Sequence, residues 1–72
     1  MSASAMAFAN AVINARGGGE MFGMLLEQFP EIRREEVFLG VAIACLDRDA
    51  TLMAADLEVR QLQRALERRE AA

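Results

Sequence analysis

Four oxygen-bearing side chains, Asp47, Asp49, Thr51 and Glu58, stand at places one, three, five and twelve of a calcium-loop pattern. Such a loop holds a hard cation through convergent oxygens, and it needs glycine at its sixth place for the sharp turn. Leu52 stands there, and Met53 to Leu57 are strong helix formers, so the spacing predicts helical polar residues and no metal. Gly17-x-Gly19-x-x-x-Gly23 is a loose version of a phosphate-cradling loop. The dinucleotide fingerprint needs glycine where Phe22 stands and a strand before it, so a linker is the simpler reading and no cofactor is expected.

Catalytic equipment is sparse. The chain has no His, Lys or Tyr, which removes the usual general bases and Schiff-base formers. Its hydroxyl groups are Ser2, Ser4 and Thr51. Glu35 and Glu36 fit the first turn of a helix, where the dipole favours carboxylates. Cys45 is the only cysteine, so no disulfide can form within the chain. It lies one helical turn beyond Val41 and two beyond Val37, where a thiol behaves as a small apolar side chain of raised pKa and low reactivity. No enzyme activity is expected.

Arg60, Arg64 and Arg68 repeat at four-residue spacing with Arg69 beside them, a stripe that could meet phosphates or an acidic protein surface. Glu67 and Glu70 dilute it, and arginine near a helix C-terminus also suits the dipole. The net charge of −3 speaks against a protein built around nonspecific nucleic-acid contact.

Helices must carry all of these residues. Ala, Leu, Glu, Arg and Met dominate, there is one proline, and with threonine occurring once and no Tyr or Trp the composition predicts an all-α chain. The first helix is expected over 4–16 with Ser4 as N-cap and Ala5, Phe8, Ala9, Val12 and Ile13 on one face. Gly17–Gly19 should end it and act as a flexible linker, leaving this helix loosely attached to a core over 20–70. A second helix over 20–29 sets Phe22, Leu25, Leu26 and Phe29 in an apolar stripe, widened by Met21 and Met24, and stops because Phe29 precedes Pro30. Gly23 is its internal weak point.

The third helix contains Val37 to Leu46, ten apolar residues in succession. A helix apolar on every side must be covered on every side. The pattern favours one helix over 33–70, with a possible break near 47–51 where Asp49 or Thr51 could start a new one. Unbroken, it would be roughly 57 Å long, more than two short helices can cover. It would then pair with a second copy, with Val37, Val41, Ala44, Cys45, Leu52, Val59, Leu62 and Leu66 as the dimer core. A break would give a four-helix monomer. Gly40-x-x-x-Ala44 would let a neighbouring helix come close.

Residues 25–45 contain Phe29-Pro30, Ile32, the polar Arg33-Arg34, Glu35-Glu36-Val37 and the Ala-rich run Ala42 to Ala44. This segment resembles the helix-turn-helix part of small bacterial VapB-like antitoxins. The resemblance implies DNA-binding autoregulation and binding to a toxin. An exposed recognition helix should begin with polar or basic residues, whereas this one begins with Glu35, Glu36, Phe38 and Leu39.

These features predict a single small helical domain over 1–72 that pairs as a homodimer and, as a bacterial or phage regulator, acts by binding another protein. Phe22, Met24, Phe38 and Leu39 are candidates for an apolar contact patch, and Arg60, Arg64 and Arg68 for a charged one. A DNA-binding repressor or antitoxin and a structural assembly subunit are the alternatives. The apolar run is about half of a membrane span, and the N-terminus lacks a basic region ahead of an apolar one. The expected location is the cytoplasm.

Overall fold

A computed structural model describes residues 3–15 and 20–71, which form four helices: α1 (Ala3–Asn14), α2 (Met21–Gln28), α3 (Arg34–Asp47) and α4 (Leu52–Ala71). Among the described residues there is no strand. The radius of gyration, 11.1 Å, is that of a globule of this length, about 11 Å.

The most extensive packing in the molecule is α1 on α3. Ala5, Phe8, Ala9 and Val12 form the face of α1 that is lost to solvent, with Ile13 half-buried beside it. They meet α3 at Gly40, where a Cβ atom would stand only 3.0 Å from the Ala5 carbonyl oxygen and 3.2 Å from the Ala9 nitrogen. The close approach foreseen from Gly40 and Ala44 is therefore realised within one chain, with Ala5 and Ala9 as the facing small residues. This corrects the expectation of a loosely attached first helix: removing Phe8 and Val12 from water favours docking by about 1.5–3 kcal/mol each. Ser4 is also not a cap, because α1 already includes Ala3. The Gly17–Gly19 linker lies outside the described residues.

Helix α2 buries Phe22, Leu25 and Leu26 and packs on α4 and, less extensively, α1. It ends as the Phe29-Pro30 pair requires: Phe29 leaves the helical region (φ −125°, ψ 66°), and its N–H donates to the Leu26 carbonyl. The Phe29 ring then meets Phe8 edge-on, with centroids 5.4 Å apart, joining α1 to the end of α2. α2 and α3 do not approach each other closely.

Arg33 stands at the N-cap of α3. A guanidinium has no acceptor to offer there, but Glu36 supplies the reciprocal half of a capping box by accepting from the Arg33 N–H at 3.0 Å.

The favoured unbroken helix over 33–70 is replaced by the break at 47–51. The Ala50 N–H donates to the Cys45 carbonyl (2.9 Å) and the Asp49 N–H to the Leu46 carbonyl (3.2 Å), with Asp49 left-handed at φ 52°. That is a Schellman stop, with Asp where glycine is usual. Thr51 then caps α4, its Oγ1 accepting from the Ala54 N–H at 3.1 Å. α4 returns antiparallel to α3: Arg34 pairs with Glu70 at one end of the hairpin and Cys45 with Glu58 toward the other.

The break lets the chain cover part of its own apolar run. Val37, Gly40, Val41 and Ala44 are buried against α1 and α4, while Leu39, Ala42 and Leu46 stay exposed.

The two helix-internal glycines should respond in opposite ways. Gly40→Ala gains helix propensity but drives a methyl into α1 backbone, with an expected net loss of about 1–2 kcal/mol. Gly23→Ala meets nothing nearer than a Glu20 side-chain oxygen at 3.7 Å and should gain up to about 1 kcal/mol. Asp49→Gly relieves the left-handed residue and should also stabilise, by about 0.5–1 kcal/mol. Urea unfolding followed by circular dichroism reads all three.

Candidate interaction surface

The hairpin of α3 and α4 carries the two features that depart most from an inert surface. One is a polar cluster that locks its two helices together; the other is an apolar tip.

The cluster joins Cys45, Arg48 and Glu58. Arg48 projects from the C-cap of α3, where its Nε donates to the Ala44 carbonyl at 3.2 Å. Its Nη2 reaches both oxygens of Glu58, at 2.7 and 2.6 Å. The Cys45 thiol donates to Glu58 Oε2 at 3.1 Å, and Arg48 Nη2 stands 3.8 Å from the sulfur. Only 15% of the Glu58 side chain is exposed, against 37% for Arg48.

Burial pushes the Cys45 thiol above its ordinary value, helped by the Glu58 carboxylate and opposed by Arg48. Burial also resists the charge on Glu58, but the hydrogen bonds from Arg48 and Cys45 and the Arg48 charge outweigh it and hold the carboxyl below its usual range. The same carboxylate raises Arg48. A protonated thiol giving its hydrogen to a carboxylate is a poor nucleophile. The cluster is a clasp, and it disposes of the calcium-loop spacing. Glu58 pairs with Arg48, Thr51 caps a helix and Asp49 forms a turn. Among the described residues no group of three His, Cys, Asp or Glu side chains could hold a metal ion.

The apolar tip follows directly. Leu46 is 81% exposed, Leu52 91%, Met53 84% and Leu57 57%, all within twelve residues around the turn. Asp47, Asp49 and Asp56 surround them. Arg60 is tied to Asp56 at 3.0 Å in a solvent-exposed pair of small energetic weight.

The residues expected to form a dimer core divide sharply. Val37, Val41, Ala44, Leu62 and Leu66 are buried inside a single chain, because the hairpin brings α4 back onto α3, so they cannot also face a second copy. Cys45 and Val59 are half-buried, and Leu52 alone is fully open. Of the contact candidates, Phe22 is core, packed where α2 meets the bundle. Phe38 is half-buried with the Arg34 guanidinium 5.5 Å above its ring, whereas Met24 and Leu39 are exposed. Arg60, Arg64 and Arg68 are exposed along α4.

Sequence reasoning missed the clasp and the tip. Arg48, three residues after Cys45, was a visible signal for the first. Glu58 could join it only once the turn at 48–51 was fixed. Among the described residues no helix is long and apolar enough to cross a membrane. Comparison of the chain with protein-family models, curated proteins and solved structures yields no match.

The clasp predicts a two-sided pH dependence. Glu58, depressed on folding, contributes stability above the ordinary carboxylate range that is lost as pH falls through its folded value. Cys45, raised on folding, contributes stability below its ordinary 9.0 that is lost as pH rises through its folded value. Arg48→Gln should cost about 1 kcal/mol at neutral pH, discounted for the solvent at Arg48. The difference from the parent should shrink toward zero in acid, where Glu58 is protonated in both proteins. Urea titrations across the pH range test this.

Proposed function

We propose that this chain is a non-enzymatic interaction protein that pairs with a second copy through the apolar tip of the α3–α4 hairpin. In that form it regulates another protein by binding it. The observation that carries the reading is the exposure of Leu46, Leu52, Met53 and Leu57 in a chain that has few apolar side chains of this size to spare. Large apolar residues gathered in one place mark association surfaces, whereas scattered ones mean nothing.

Charge supports a self-complementary fit. The acidic tip and the Arg64 and Arg68 end of α4 lie on the same molecule, so two copies related by a two-fold axis can set each against the other.

The DNA-reading alternative draws less support. The outer face of α3 offers Glu35, Leu39, Ala42 and Leu46, whose single charge has the wrong sign for phosphates and whose other members are apolar.

Sedimentation equilibrium over a wide concentration range tests the pairing. The parent should fit a reversible dimer, and the double substitution Leu52→Glu, Met53→Glu should shift it to a monomer with unchanged helicity. A parent particle of 7.9 kDa at every concentration would overturn the reading.

A further inference from the structure

The turn that closes the α3–α4 hairpin contains no residue that demands it. Asp49 stands left-handed at φ 52°, and from Val41 to Ala72 the chain has neither glycine nor proline. A left-handed residue other than glycine is held against its preference, whereas Asp, Arg and Ala all continue a helix at modest cost. A short hinge under strain invites two copies to exchange the element that follows it.

Exchange has a geometric condition. If α3 and α4 straighten into one rod, both must present their packing faces to the same neighbour, so those faces must fall in line. They do. Continued as one α-helix, Val37, Gly40, Val41 and Ala44 of α3 and Leu62, Ala65 and Leu66 of α4 would share an arc of about 120°. The steps from Ala44 through Arg48, Leu52 and Ala55 to Val59 are all of three or four residues, which carries the stripe across the break. A hairpin makes no such demand, because a turn of another length would serve it equally. The contacts that tie the two arms, Cys45–Glu58 and Arg34–Glu70, are both centred on residues 51–52. Two antiparallel rods crossing there can remake each of them between chains.

We infer that two copies pair by exchanging α4. Residues 47–51 straighten into helix, and the α4 of each copy packs on α2 and α3 of the other. The inference rests on the pairing proposed above and specifies how it is made. The two tips become the crossing of the rods, and Leu52, 91% exposed in the hairpin, lies at that crossing beside the shared arc. Cys45 and Arg48 then meet the Glu58 of the second copy, so the clasp joins two chains instead of two arms.

The test follows residues 34 and 70, which meet at the end of the hairpin opposite the turn. Arg34→Cys and Glu70→Cys are made as separate full chains, each with Cys45→Ser, which removes the native thiol and keeps a donor for Glu58. They are unfolded together in urea, refolded at a concentration where the parent sediments as a dimer, and treated with a short bismaleimide. Exchange sets residue 34 of one copy beside residue 70 of the other, so a crosslink between the two different chains should form. Closed hairpins paired at their tips keep residues 34 and 70 within one chain and leave these chains unjoined. Residue 49 gives a second readout. Asp49→Gly eases the turn and should weaken the dimer at least about tenfold, whereas Asp49→Ala favours helix over the turn and should strengthen it about as much. Closed hairpins hold the turn whether single or paired, so neither substitution would move their dimer constant. A parent dimer without the crosslink, or one indifferent to both substitutions, overturns exchange and leaves pairing standing. A parent that never dimerises overturns both.

Discussion

Everything in this fold depends on the contact between the backbones of α1 and α3 at Gly40. The most extensive helix–helix packing in the molecule is at this crossing. The absence of a side chain on Gly40, matched by Ala5 and Ala9 opposite, provides it. The approach lets Phe8 and Val12 reach past α3 into the layer formed with Val37, Val41 and Ala44. From there Phe8 meets Phe29, and Phe29 sets the end of α2. The position of α2 over α4 is thus inherited from a contact in which neither helix takes part.

The second constraint is the left-handed residue at Asp49. It converts a segment with the composition of one rod into a hairpin, and so decides what covers Val37 to Leu46. Small bundles rarely have more than a few kcal/mol to spare, so a turn made with Asp rather than glycine needs compensation. The clasp of Cys45, Arg48 and Glu58 sits immediately beside the turn and ties both arms of the hairpin. Its ion pair is better shielded than Arg34–Glu70 or Arg60–Asp56, both of which stand in solvent. Of the three pairs, it alone holds a carboxylate partly out of water.

Local rules made much of this legible. The Phe29-Pro30 stop, the acidic first turn of α3 and the apolar faces of α1 and α2 were readable from neighbouring residues, whereas Thr51 was only one of two possible caps at a break that the pattern did not favour. What failed was nonlocal. Nothing within four residues of Asp49 forces a helix to stop, since Asp is usually a poor left-handed residue next to glycine. The stop pays off only through Glu58, thirteen residues after Cys45. The docking of α1 was misjudged for a related reason. Three glycines in succession imply freedom of the joint, but say nothing about the affinity of what the joint connects. The Gly40 and Ala44 pair signalled a close neighbour, and the neighbour was upstream in the same chain.

The tip then follows from one geometric fact, that the four helices differ in length. α4 has 20 residues and α2 only 8, so α2 can shield α4 over part of its length alone. Its packing falls toward the C-terminal half, around Ala65, where a groove with Gly23 and Leu26 forms. The first two turns of α4 are left beyond the end of α2, and Leu52, Met53 and Leu57 stand open there. A sequence shaped only for a stable monomer would place glutamate or lysine at such positions, as the solvent faces of α4 farther along do with glutamate and arginine. Leucine and methionine stand instead at Leu46, Leu52, Met53 and Leu57, the densest group of open apolar side chains among the described residues, and that departure is what the proposed pairing rests on.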